Sequence, residues 1–557
     1  MRIFIFLIFS LLTQVILAQG IPAGFPVLEE RTRINQLLKD STTSSFLLRP
    51  NTSVSFDSVL PFYDPVGLSK YGIEVNTIPL ITTIRINTQR PYGWGNYGMV
   101  PNVGFQQYVS TGIHAKFKFV SFQFQPEFIW ASNNDFQGFG ENLSDQEIRD
   151  RFHTLNVGDH PERFGTDIYS KFWWGQSKLT FQFGAFEIGG STQNIWWGPG
   201  QFNSLTFSNN ASGFPHLTFN TTKPAKTFLG SFEGQIIVGK LTNSGIAPLQ
   251  NQELNERFFR PLRDDWRYLN AMTITYSPKW LKGIHVGLSR TFQQYSSMMQ
   301  NDFASYFPIF DPFQKESLFD ENGTTVEFDG LGRDQSASFF FRVFSKRYKT
   351  EFYGEFGRRD HAFNWRDFIL SPEHARAYIL GFNKVVSLEN PNRFLQIRGE
   401  ITHQQESINR YIRYSGLGGE FSWHTHGIAR GFVQNGIPLG VGIGMGSNVQ
   451  SIEFALVENY NKVGILLERL ANQQDFYYRA FGQQSERKPW IDLSLGFLYD
   501  KQFNNLLVSS KLQLIHARNY QWQLDPASTP EFPKGENLTS VMGQLSLIYF
   551  WKKREEK

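Results

Sequence analysis

The stretch KLTFQFGAFEIGGSTQNIWWGPGQFNSLTFSNNASGFPHL, residues 178–217, decides the fold. It opens with Leu179, Phe181 and Phe183 alternating with Lys178, Thr180 and Gln182. Successive strand side chains point to opposite faces, so one face here is apolar and the other polar. The division recurs along most of the chain. It fits a sheet closed between lipid and a watery lumen, an all-β, closed antiparallel transmembrane β-barrel of the outer-membrane type.

The first residues, MRIFIFLIFSLLTQVILAQG, carry one positive charge at Arg2, an apolar core from Ile3 to Leu17 and a small residue at Ala18. This is the pattern of a signal peptide over 1–18, with Gln19 as the mature start and an exported, outer-membrane destination. The chain has no Cys, so neither a disulfide framework nor a lipidated N-terminal Cys is available. Beyond the signal no uncharged apolar run reaches the length of a spanning helix. Aromatics at 16% and 48 glycines suit short amphipathic strands with aromatic girdles. A net charge of +4 on 557 residues gives no support to a nucleic-acid partner.

Residues 19–78 are expected to form a periplasmic helix and plug segment. The helix is Pro26–Lys39, with Pro in its first turn, Glu29 and Glu30 near the positive end of the dipole, and Val27, Ile34, Leu37 and Leu38 on one stripe. Residues 79–551 are the barrel and 552–557 a charged tail. Seventeen strand candidates emerge, among them 178–188 as a single strand and 419–426, whereas an even number is expected. A further strand between Thr402 and Asn448 gives about eighteen and returns both ends to the periplasm. The same count sets 194–217 after an inward-running strand.

The stretches PYGWGNYG (91–98), SFQFQPEFIWASNN (121–134), DHPERFG (159–165), the run NIWWGPGQFNSLTFSNNASGFPHL and EFYGEFGRRDH (351–361) resemble the Wzi-type capsule assembly proteins of the outer membrane. The tryptophan, glycine and Ser-Asn-Asn-Ala pattern together are specific. The resemblance implies a closed barrel occluded by periplasmic helices, which holds extracellular capsular polysaccharide on the cell surface without turning it over. GVGIGMG at Gly440–Gly446 departs from the family pattern, in which a His-Pro pair more often follows the glycines.

Two sets of residues stand out. Trp196, Trp197, Gly198, Pro199 and Gly200, with Ser208, Asn209 and Asn210, form the family motif; their aromatic faces could stack on sugars, but a structural turn or plug contact is the stronger reading. The loop NQELNERFFRPLRDDWRYLN offers Arg257, Arg260, Arg263, Arg267 and Trp266 on the expected outer side, where guanidinium groups would meet an acidic polysaccharide. Equally, these arginines could pair with Glu253, Glu256, Asp264 and Asp265, or contact lipopolysaccharide phosphates.

Enzyme signals are poor: neither HExxH nor GxSxG occurs. His424 and His426 lack a third metal ligand, GVGIGMG lacks the flanks of a phosphate loop, and Glu351 and Glu355 read as lumen-lining rather than as a glycosidase pair. No catalytic residue, metal or cofactor is expected. The expected partners are polysaccharide, outer-membrane lipid and lipopolysaccharide and the polysaccharide export machinery, with the barrel a monomer. A porin or solute channel, and a glycan- or lipid-active enzyme, are the alternatives.

Overall fold

The computed structural model describes residues 26–38, 44–50, 67–70, 72–140, 142–311, 332–359, 369, 375–390, 392–406, 422–482 and 486–551. The expected signal peptide, the charged tail and much of the expected plug segment lie outside the described residues.

Eighteen antiparallel strands close into one barrel. In chain order they are β1 Ile73–Asn87, β2 Gly104–Phe117, β3 Val120–Phe124 continued by Glu127–Ala131, β4 Tyr169–Trp173 continued by Lys178–Phe183, β5 Phe186–Ser191, and β6 His216–Thr221 continued by Ala225–Lys226. Then come β7 Gly230–Leu241, β8 Arg267–Pro278, β9 Ile284–Tyr295, β10 Asp334–Ser345, β11 Thr350–Arg359 and β12 Arg376–Ser387. The last are β13 Arg393–His403, β14 Asn448–Glu458, β15 Asn461–Ala471, β16 Ile491–Phe503, β17 Leu506–Arg518 and β18 Leu538–Tyr549. β18 closes onto β1, from Met542 opposite Asn87 to Tyr549 opposite Leu80. Closure leaves no open sheet edge, which a wall surrounded by lipid requires. The two irregularities of β1 and β3 fall at Pro79 and Pro126, where a ladder donor is missing.

The number of strands agrees with the sequence, but the missing strand lies elsewhere. β13 pairs directly with β14, so the described residues 404–406 and 422–447 add nothing to the wall, and His424 lies in a turn rather than on a strand. Instead, 178–188 is two strands joined through Gly184 and Ala185, and His216–Lys226 forms a strand of its own. These staves are short or broken, and Gly189 and Gly190 blank the alternation in β5, so the period-2 signal is weak there.

With this order, the long connections that follow β1, β3, β5, β7, β9, β11, β13, β15 and β17 all leave the wall at one end, and tight turns such as Asn459–Tyr460 and Asn504–Asn505 lie at the other. Long loops outside and short turns inside set the sidedness. The tryptophan motif therefore follows β5, an outward-running strand, and corrects the expected topology of that run.

The outer wall is apolar: Leu467, Leu495, Leu514 and Val541 lie side by side across β15 to β18, and Leu495 is 54% exposed. The inner wall is polar, and much of it is buried. Gln123, expected to face water, is buried and donates to Gln125 Oε1 (3.1 Å) and to the Gln176 carbonyl (2.8 Å).

Two outcomes are expected. Leu495→Arg should destabilise the barrel by about 2–4 kcal/mol, as arginine at mid-membrane does on a lipid face, measured by urea unfolding of the heat-modifiable form. Single cysteines at Ser297 and Ala527 should react with an impermeant reagent on intact cells and those at Lys279 and Asn390 should not; the reverse pattern inverts the barrel.

Candidate functional site

The bore is filled by the chain itself. Helix α1, Pro26–Leu38, lies inside the barrel near its short-turn end. Val27 and Leu28 pack with Ile81, Leu507 and Ile548 at the closing seam, while Ile34 and Leu37 pack against Val385, Phe394 and Val457. Rather than presenting one apolar stripe, the helix is buried all round, so its charged residues need counter-charges on the wall. Arg33 meets Glu351 at 3.0 Å, and Arg342 holds the other carboxylate oxygen at 2.6 Å. Glu30 faces Lys462 at 3.1 Å and Arg398 at 3.2 Å, and both cations also reach Glu453.

The tryptophan motif descends from the long-loop end onto this helix. Leu48–Arg49 pairs with Trp196–Trp197 as a two-residue ladder, and the Arg49 guanidinium lies 4.3 Å from the Trp196 ring centroid. Arg49 donates to the carbonyls of Gly198 (2.8 Å) and Gly200 (2.9 Å), and Arg33 to that of Pro199 (2.7 Å). Trp197 is fully buried, with its Nε1 donating to Gln235 (2.9 Å). Gly198 has φ +103°, a conformation that favours glycine, and a Cβ there would stand 2.7 Å from Glu355 Oε2 and displace that carboxylate. Wall carboxylates collect the motif's free amides: Glu400 accepts from the backbone of Gln201, Phe202 and Asn203, and Glu355 from Leu205.

The segment Ser422–Ser447 fills the space above. Trp423 donates from Nε1 to the Leu205 carbonyl (3.0 Å), Ser208 donates to the Gly440 carbonyl (2.6 Å) and Asn210 to the Pro438 carbonyl (3.0 Å). Tyr97 donates through its amide to the Asn209 carbonyl (2.6 Å). A Cβ on Gly440 would lie 2.1 Å from the Leu205 carbonyl oxygen, so this glycine serves close packing rather than phosphate binding.

The residues weighed for catalysis are tied into the packing of the bore. Glu351 and Glu355 are both engaged, the first by two arginines and the second by the Leu205 amide and the Ser338 hydroxyl. His424 stacks on Phe432, and burial pushes its imidazole down to about 3, helped by His160 beside it. His426 Nδ1 accepts from the amides of Ile428 and Ala429. Among the described residues no group of His, Cys, Asp or Glu is arranged to hold a metal. A cavity of about 180 Å³ remains between α1, the 92–96 loop and β14–β17, lined by Tyr92, Trp94, Trp196 and the Glu30–Lys462 ion pair.

The five residues of the arginine-rich loop separate. Arg257, Arg260 and Arg263 are exposed on the long-loop rim. Arg267 is not on the surface: fully buried, it donates to the carbonyls of Ala429, Gly431, Val433 and Thr242 and ties the Ser422–Ser447 segment to the wall. It belongs to β8, whose alternation turns it inward, which corrects its expected place beside the others. Trp266 is half-buried, with the Lys240 ammonium 5.2 Å from its ring centroid. Arg257 also pairs with Asp145 at 3.3 Å and Glu253 at 3.8 Å. The structure adds an arginine that the sequence reading missed. Arg149 and Arg257 lie 5.6 and 4.8 Å from the Phe258 ring centroid, forming a cationic aromatic cluster. Arg149 is carried by the helix Asp145–Leu155, whose capping box, Ser144 and Glu147, is legible as S-x-x-E.

A closed outer-membrane barrel whose bore is packed with its own N-terminal helix and inturned loops is therefore the class this architecture defines. The family described as capsule assembly protein Wzi matches residues 85–508, and the chain belongs to it. The solved structure of Wzi from Escherichia coli, described as an outer-membrane protein involved in group 1 capsule assembly and a carbohydrate-binding β-barrel, is similar at 12% identity and a TM-score of 0.54 over 86% of this chain and 85% of that one. Acinetobacter baumannii OccAB4 (7% identity, TM-score 0.38, 85% and 97% of the two chains) and Pseudomonas aeruginosa OprD (8%, 0.38, 88% and 95%) also match. No curated protein matches the sequence.

Arg33→Met should loosen the plug by about 3 kcal/mol, the low end for breaking a buried ion pair, since Arg342 still holds Glu351. The expected result is a lower urea midpoint together with new protease cleavage in α1; unchanged values would show that the ion pair does not anchor the helix.

Proposed function

We propose that this barrel holds or helps assemble capsular polysaccharide at the cell surface, without conducting it through the bore and without cleaving it. One observation carries this reading: Trp197 and Trp423 sit fully buried inside an eighteen-stranded wall, packed by α1 and the inturned loops. A bore filled in this way favours a surface role over a porin or solute channel. Membership of the Wzi family supports the same direction. The engaged state of Glu351, Glu355, His424 and His426 favours binding over catalysis.

The exposed arginines Arg149, Arg257, Arg260 and Arg263, with the half-buried Phe258 beside the first two, form the surface best suited to an acidic polymer, with planar cations for carboxylates and part of a ring for sugar faces. Trp266 and the buried motif Trp196–Gly200 fall outside that surface. Lipopolysaccharide surrounds the barrel, the export machinery would approach α1 from the short-turn end, and the barrel acts as a monomer.

The deciding experiment is gene deletion: polysaccharide should appear in the medium while total synthesis is unchanged. Purified protein should be silent in planar bilayers and should not shorten the polymer; steady conductance or turnover would overturn the reading. Replacing Arg257, Arg260 and Arg263 together by Gln should weaken binding of an acidic polysaccharide by roughly tenfold at low ionic strength, from exposed contacts worth up to ~1 kcal/mol each. The loss should shrink as salt shortens the screening length. Binding unaffected at every ionic strength would place the polymer elsewhere.

A further inference from the structure

The connection between β9 and β10 does not stand clear of the barrel. Part of it, Phe303–Asp311, folds down over the lipid side of β8 and β9. Arg290 alternates with the inward-facing Ser289 and Thr291 and so points outward, yet it is only 2% exposed because this strap covers it. It donates to the Ile309 carbonyl at 3.0 Å, Asn270 accepts from the Ile309 amide at 3.3 Å, and the Tyr268 hydroxyl donates to the Tyr306 carbonyl. Arg333 secures the far side through Ser305 (3.0 Å) and Asp311 (3.4 Å). Held this way, the strap turns Phe303 and Phe310 out, 68% and 60% exposed. Aromatic side chains at the outer end of a barrel wall sit at the level of lipid headgroups.

Beside the strap, sharing Tyr268 with it, runs a groove of about 590 Å³ in the outer wall. Its floor is Gly190, which stands between Leu179 of β4 and Leu217 of β6 in the sheet. A Cβ at Gly190 would meet nothing within 4 Å, so the groove exists because a side chain is missing from an otherwise bulky lipid-facing row. Phe124 and Trp174 rise at one side and Val238 lies toward the other. The outer end is marked by Lys240 over the Trp266 ring, an exposed cation where the apolar wall stops.

We propose that this face is a docking site for an outer-leaflet glycolipid of the lipid A class, with one acyl chain lying in the groove over Gly190 and a phosphate at Lys240. Three features select this occupant. The groove lies in the half of the wall nearer the long loops, so it faces the outer leaflet. It continues the exposed apolar band of Leu179, Phe181 and Leu217. The charge at its mouth is positive, complementary to a phosphorylated headgroup and indifferent to a zwitterionic one. The site is separate from the arginine rim and does not depend on the polysaccharide reading.

The test uses the full barrel folded into nanodiscs of phosphatidylcholine containing a minor fraction of lipid A, then transferred to detergent, with retained lipid read by native mass spectrometry. Wild type should keep lipid A in preference to phosphatidylcholine. Gly190→Leu puts a side chain on the floor, where a Cβ meets nothing within 4 Å, and should retain about tenfold less lipid A, since acyl affinity falls steeply with each methylene displaced. Lys240→Gln should lose several-fold of the lipid A and none of the phosphatidylcholine. Gly543→Leu, on the lipid face between Ile86 and Leu512, is the control and should match wild type. Heat-modifiability verifies that each variant is folded. Equal retention of lipid A by folded Gly190→Leu and wild type would overturn the proposal, as would wild type keeping phosphatidylcholine as firmly as lipid A.

Discussion

The structure depends on the pairing of charges between α1 and the inner wall. An eighteen-stranded barrel is too wide for wall side chains alone to fill, so its interior must hold water or more chain. Here it holds chain, and the cost of burying a charged helix is offset only because each of its ions meets a fixed partner, Arg33 with Glu351 and Glu30 with Lys462 and Arg398. Removing the pairing would leave uncompensated charge in a buried interior, whereas in an open pore the same groups would simply be hydrated.

The inner wall then has a purpose different from that of a channel lining. Inturned loops carry backbone groups without ladder partners, and buried amides and carbonyls must be satisfied. Glu400 gathers three consecutive amides of the Gln201–Asn203 turn, and Arg267 spreads its guanidinium over carbonyls of the Ser422–Ser447 segment. Polar wall residues thus act as a template for the plug. The ends differ in the same spirit: α1 occupies the short-turn end, whereas at the long-loop end Phe139, Phe152, Phe476, Trp490 and Trp522 gather in one cluster. A molecule built this way meets its surroundings through its rim and its outer wall, and both offer cations beside aromatic rings.

Much of the fold was legible in the sequence because strand alternation is a local signal. Leu179, Phe181 and Phe183 facing lipid, and Lys178 and Thr180 facing inward, follow from a period of two whatever else the chain does. Strand number followed from the rule that both ends return to one side, although the position of the last strand did not. Trp423 and its neighbours alternate in sequence as a strand would, yet Ser422 to Thr425 are all buried together in a packed loop, and the paired glycines of β5 conceal a real strand.

What the sequence determined by itself was the class: a closed barrel with long loops at one end, a helix ahead of the first strand and the family motif in order. Tertiary structure alone decided which polar groups are available. Arg263 and Arg267 are four residues apart and chemically identical, yet one lies on the rim and the other is sealed in the wall, because β8 begins at Arg267 and its pleat turns that side chain inward. The tryptophan motif likewise reads as a sugar platform until the chain is seen to double back into the bore, where its partners, Arg49, Gln235 and Glu400, come from segments remote in sequence. Periodicity is written in neighbouring residues, but burial depends on what the rest of the chain brings to them.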